Sequence, residues 1–194
     1  MGSEADARFD AIVLAGGSAR RLGGRDKAAL VVGGQTLLER ALNAVAAADR
    51  IVVVGPQKET SRPVIWTRED PPGGGPAAAL TAGLEQVRAE LLVLLAVDHP
   101  FVVPSTVRRL LDATGSHDGA MLSSGGRTQP LVAAYRGSSL RAAVARAAST
   151  VDMAVHDLVG DLDVVVIDDP RAAGSDIDTW DDAAEAERHL EDRG

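Results

Sequence analysis

Arg20, Arg21, Arg25 and Lys27 crowd a short stretch that also carries Gly16, Gly17, Gly23 and Gly24. Glycine turns the backbone through positive φ and lets it approach a ligand closely, so successive N–H groups can wrap around an anion. Arginine and lysine add the positive charge that neutralises a polyphosphate. The chemistry is phosphate binding, yet neither familiar nucleotide motif is present. A Walker A loop needs four residues between its glycines and then Gly-Lys-Ser/Thr, and no such run occurs. The Rossmann fingerprint needs Gly-x-Gly-x-x-Gly, which Gly16-Gly17-Ser18 does not supply.

Two acidic groups complement this basic loop. The apolar run Leu91–Val97 ends abruptly in Asp98-His99-Pro100. Proline stops strand pairing there, and a carboxylate at the carboxyl end of a central strand faces the crevice where α/β folds bind ligands. Hard oxygen donors of this kind suit Mg²⁺. Near the C-terminus, Asp176 and Asp178 stand two residues apart, so an extended segment points both side chains to one face. Thr179 is the expected N-cap of a final helix, with Asp181 and Asp182 in its positive first turn. His117 and His189 sit in polar stretches without ligand-spaced partners, and His156 lies in a helical stretch as a surface or core residue.

The elements that must position these residues are legible in the apolar pattern. Runs at Ile12–Leu14, Ile51–Val54, Val64–Trp66, Leu91–Val97 and Val164–Ile167 are short and several are continuously apolar, as in strands buried on both faces of a parallel sheet. Amphipathic helical patterns lie between them, from near Thr36 to Val45 and from Ala77 to Val87. Further helices are expected over Thr106–Leu111, with Ser105 as N-cap, over Leu140–Ala148 and over Asp181–Leu190. This alternation predicts an α/β fold: a doubly wound, mostly parallel sheet with helices on both faces. Asp70-Pro71-Pro72-Gly73-Gly74-Gly75-Pro76 is a rigid turn leading into a helix with proline in its first turn. In Gly125-Gly126-Arg127-Thr128-Gln129-Pro130, a polar turn runs into a strand that ends at Tyr135.

Composition bounds the rest. At 194 residues the chain is read as one domain, with residues 1–8 as a disordered N-terminal tail. Aromatic residues are only 3%, so the core must be built from Ala, Val, Leu and Ile. A net charge of −8 argues against nucleic acid or an anionic membrane as partner, since both would be repelled at long range. There are no cysteines, and the acidic N-terminus lacks the pattern of a secretion signal, so a cytoplasmic location is expected.

The run from Leu14 to Lys27 resembles, at identical spacing, the signature Leu-x-Gly-Gly-x-x-x-Arg-Met-Gly-x-x-x-Lys of the small nucleotidyltransferases. Within them the chain is most similar to the molybdenum cofactor guanylyltransferases, the MobA-like NTP transferases. Leu22 stands where methionine is usual, and Arg21 and Lys27 fall on the signature arginine and lysine. The resemblance implies a Rossmann-like nucleotidyltransferase fold and a catalytic set of Arg21, Lys27 and Asp98. It also implies that Leu14, Ala15, Gly16 and Gly17 cradle the nucleotide with Arg21, Lys27 and Asp98. Asp98 and Asp178 would hold Mg²⁺. Asp70 and Gly75 fall in the segment that family members place around base and sugar, where a carboxylate can accept from guanine N1–H and N2–H₂ together.

By the same resemblance the substrates are GTP and molybdopterin, and the lability of such a cofactor suggests direct passage of the product to apo-molybdoenzymes or their chaperones. Three departures keep alternatives open. Asp176-Ile177-Asp178 is commoner in cytidylyltransferases, Trp180 replaces the usual proline, and Ala148–Met153 lacks the basic residues that contact the pterin in relatives. The alternatives are a cytidylyltransferase for the same cofactor, an enzyme acting on a sugar or alditol phosphate, or a non-catalytic nucleotide-binding regulator.

Overall fold

The computed structural model describes residues 8–16, 18–19, 25–169, 175–177 and 179–191. Its centre is a seven-stranded sheet built from β1 (Phe9–Leu14), β6 (Arg50–Val54), β7 (Ile65–Thr67), β8 (Leu91–Ala96), β9 (Gly119–Ser124), β10 (Arg127–Arg136) and β11 (Val164–Asp168). The order across the sheet is β11-β9-β10-β8-β1-β6-β7. Every pairing is parallel except those of β10, which runs antiparallel to both β8 and β9. Two small antiparallel ladders lie outside the sheet: β2 (Ser18–Ala19) with β3 (Arg25–Asp26), and β4 (Val31–Val32) with β5 (Gln35–Thr36).

The central strands are apolar on both faces because each face is covered. Phe9, Ala11 and Val13 of β1 belong to a core shared with α1 (Leu37–Ala44), α3 (Pro104–Thr114) and α6 (Trp180–Glu191). Ile12 and Leu14, pointing the other way, join α2 (Gly75–Leu84), α4 (Gly137–Arg146) and α5 (Val155–Leu158). The predicted doubly wound, mostly parallel sheet is therefore the fold. On the second face, Gly83 lets α2 lie against the sheet: a Cβ there would come 2.6 Å from Ile12 Cγ2.

Local chemistry sets the helix ends. Thr36 Oγ1 accepts from Glu39 N (3.2 Å) at the start of α1. Thr179 Oγ1 accepts from Asp182 N (3.2 Å), while Asp182 Oδ2 accepts from Thr179 N (2.7 Å). That reciprocal pair is a capping box, so Asp182 is helix-start chemistry as expected. At α3 the expectation fails. Val103 is the N-cap without a side-chain bond, and Pro104 rather than Ser105 opens the helix. Proline has no N–H to satisfy and its φ is already helical, so it takes the first position.

Strand β9 is the element the apolar pattern does not reveal, because it begins with glycine and ends in Ser123 and Ser124. It pairs through the Gly125–Gly126 turn, both residues at positive φ, with the long β10. Tyr135 on β10 is fully buried and its hydroxyl donates to Pro130 O (3.0 Å). Burial raises its phenol above the ordinary value. Asp10, buried at the start of β1, accepts from the backbone N–H groups of Arg88 (2.6 Å) and Ala89 (2.9 Å) and ties the lower edge of the sheet together. Among the described residues, no helix is long and apolar enough to cross a membrane.

Candidate active site

Parallel pairing places the carboxyl ends of β1, β6 and β8 side by side, with Leu14 in register with both Val54 and Ala96. Backbone bonds continue this alignment past the strands. Ala15 N donates to Val54 O (2.8 Å), and Val97 N donates to Leu14 O (3.1 Å). Gly55, just after β6, presses against the loop so closely that a Cβ there would lie 2.9 Å from Ala15 C and 3.0 Å from Gly16 N. Leu14 and Ala15 are buried and Gly16 is exposed, so the loop opens to solvent at its first glycine. Beyond it, β2 and β3 pair Ser18 with Asp26 and Ala19 with Arg25. Gly17 and Arg21, both predicted phosphate ligands, lie outside the described residues.

The hairpin returns the chain to a 3₁₀ turn over Lys27–Ala29, capped by Asp26, whose Oδ1 accepts from Ala28 N (3.1 Å). This turn aims Lys27 across the crevice. Its Nζ donates to Asp98 Oδ2 at 3.1 Å, 71 residues away in sequence. Lys27 and Asp98 keep side-chain exposures of 16% and 24%, so the pair is largely but not fully buried. Two residues predicted separately from sequence are thus brought into direct contact.

The other carboxylate oxygen has a different environment. Asp98 Oδ1 is buried and accepts no hydrogen bond, with His99 Nε2 the nearby ring nitrogen at 3.6 Å. The His99 ring is itself buried, and its Nδ1 also lacks a partner. Sequence reasoning passed over His99, and its only signal was its place between Asp98 and Pro100. The C-terminal acidic segment reaches the same point through its backbone, where Ile177 N donates to Asp98 O (2.9 Å). Ile177 is buried in the core, Asp176 is exposed, and Asp178 lies outside the described residues.

Asp70 and Gly75 occupy the neighbouring rim. Asp70 is exposed after β7, and Gly75 opens α2 at φ +90°. The carboxylate nearer the glycine loop is that of Glu69, which sequence reasoning did not single out. Its Oε1 accepts from Gly73 N (3.0 Å) and lies 4.0 Å from a Cβ position at Gly16. The 150–153 segment packs on the start of α2, with Asp152 N donating to Gly74 O (2.7 Å) and Ala77 N to Met153 O (3.3 Å). Arg127 is exposed on the β9–β10 turn.

A family model described as the MobA-like NTP transferase domain matches residues 11–172, from β1 through β11. The chain belongs to this family. It is therefore a nucleotidyltransferase, and the crevice holding Lys27 and Asp98 lies within the matched region. A protein of Shewanella loihica named molybdenum cofactor guanylyltransferase is 31% identical over 133 residues, covering 64% of this chain and 67% of the relative. One of the same name from Bradyrhizobium is 33% identical over 144 residues, covering 68% of each. The crystal structure of a molybdopterin-guanine dinucleotide biosynthesis protein A from Archaeoglobus fulgidus superposes with a TM-score of 0.73. It covers 94% of this chain and 99% of that one at 22% identity, a likeness of fold.

Proposed function

We propose that this MobA-like protein transfers GMP from GTP to molybdopterin, releasing pyrophosphate and forming the guanine dinucleotide cofactor. A phosphate oxygen of the acceptor forms a bond to the α-phosphorus. The α–β bridging bond breaks, and the pyrophosphate leaves with the bridging electron pair. Such a reaction needs positioning and charge neutralisation rather than a covalent nucleophile. The observation that carries this reading is the Lys27–Asp98 contact at the joined ends of β1 and β8. It brings a lysine ammonium and an aspartate carboxylate to one point, which supports the roles of phosphate and metal binding.

In this reading the backbone of Ala15, Gly16 and Gly17 cradles the nucleotide, while Lys27 and Arg21 take the charge of the phosphates. Asp70 and Gly75 border the base, with Asp70 accepting from the guanine edge. Asp98 fits a divalent cation, because its buried Oδ1 has no protein donor and would otherwise be an unsatisfied charged acceptor. Asp98 and Asp178 would hold Mg²⁺, an ion commonly bound by one or two carboxylates plus substrate phosphates. When bound, Mg²⁺ supplies charge neutralisation on the phosphate oxygens. The names of the relatives from Shewanella and Bradyrhizobium support GTP and molybdopterin as the substrates. The Asp176-Ile177-Asp178 sequence favours CTP as donor, which is the second reading.

Pyrophosphate release tests the proposal. The purified protein should release it from GTP only with both molybdopterin and Mg²⁺ present. Lys27→Ala and Asp98→Asn should each lose this activity while keeping the native circular dichroism spectrum. Full activity in Asp98→Asn removes its metal role. A CTP preference moves the assignment to cytidylyl transfer, and nucleotide binding without any pyrophosphate release identifies a non-catalytic binder.

A further inference from the structure

Lys58 lies in the loop after β6, the strand whose Val54 carbonyl accepts from Ala15 N and whose following Gly55 presses against the glycine loop. Its ammonium folds back onto Asp26 Oδ2, the residue immediately before Lys27. Asp26 is not free to follow Lys58, because its other oxygen is fixed as the cap of the Lys27–Ala29 turn. A carboxylate held by its own turn therefore holds a second ammonium against the residue that precedes Lys27. The Lys58 side chain is 22% exposed and that of Asp26 42%, so this ion pair is open to solvent. Ion pairs of that exposure contribute little to stability, and a polyphosphate offers several negative oxygens in place of one.

We propose that Lys58 is a second cation for the nucleoside triphosphate, kept in place by Asp26 and transferred to the phosphate tail when nucleotide binds. The assignment rests on the nucleotidyltransferase reading above. It differs from a purely structural role in one respect. If the pair only pinned the two loops together, breaking it from either side would have the same effect. If Lys58 binds phosphate, removing Lys58 weakens binding, whereas neutralising Asp26 releases Lys58 to the nucleotide. Asparagine at position 26 retains the oxygen that caps the turn.

Calorimetric titration of the wild type, Lys58→Met and Asp26→Asn with GTP and with GMP, all in Mg²⁺ buffer, separates these cases. Lys58→Met should weaken GTP about tenfold, the scale of one charge-assisted phosphate contact, and leave GMP unchanged. Asp26→Asn should bind GTP at least as tightly as the wild type. Equal weakening by both variants overturns the proposal, as does unchanged GTP binding in Lys58→Met or an equal loss of GMP. A wild type that binds neither nucleotide refutes the nucleotidyltransferase reading itself, and the role of Lys58 with it.

Discussion

Asp98→Asn should tighten binding of GTP in the absence of metal even as it abolishes transfer. Lys27 donates to Asp98 Oδ2, so a triphosphate arriving without Mg²⁺ must draw the ammonium away from the carboxylate. An ammonium and a carboxylate 3.1 Å apart attract by about 5 kcal/mol at an effective dielectric near 20. Both side chains remain partly exposed, at 16% and 24%. Resolvation on separation then offsets most of the attraction and leaves ~1–2 kcal/mol. Asparagine removes that cost and also the repulsion between Asp98 and the incoming phosphates. Metal-free GTP should therefore bind about five- to thirtyfold more tightly to the variant. With Mg²⁺ the order reverses, because the wild type gains a metal site that the variant lacks. The assay is calorimetry of both proteins in EDTA and in Mg²⁺, alongside pyrophosphate release. Metal-free affinity that is unchanged or weaker in a folded Asp98→Asn protein would refute the idea that this pair competes with the nucleotide.

Two further outcomes follow from packing and charge. Gly55→Ala places a Cβ 2.9 Å from the Ala15 carbonyl carbon and 3.0 Å from Gly16 N, at a φ of +151°. Backbone must move, at a cost of about 1–3 kcal/mol. The cradle should open and nucleotide affinity fall, and an alanine variant with wild-type affinity would show that the close approach is not needed. Asp118 joins three elements by accepting from Ser139 Oγ on α4 and from Asp163 N before β11, next to the start of β9. The Ser139 hydroxyl first, and then the Asp163 amide, hold its carboxyl below its ordinary value of 3.8. A depressed folded value means that the ionised form stabilises the native state above the unfolded value, and that this contribution is lost as pH falls through the folded one. Asp118→Asn should therefore lower the urea midpoint at neutral pH, by a margin that shrinks on acidification below about pH 4. A margin independent of pH would contradict this assignment.

Much of this protein was legible in its sequence because the signals are local. The glycine loop, the apolar strand ending in Asp98 and the Thr179 cap each depend on residues adjacent in the chain. Apolar strands lacking a polar face require cover on both sides, which led from sequence to a doubly wound sheet. Sequence could not reveal β9, whose serines and glycine gain their strand character only by pairing with β10 and β11. Nor could it reveal that Pro104 would displace Ser105 at the helix start. The site itself is non-local. Lys27 and Asp98 are separated by 71 residues, and only the parallel pairing of β1 with β8 puts them 3.1 Å apart. Tertiary packing likewise brings Lys58 to Asp26 and Ile177 to the Asp98 carbonyl. Residue types thus pointed to phosphate and metal chemistry before any geometry was known. Strand order and register decided which charges meet, because ion-pair geometry depends on distances in space that chain separation does not encode.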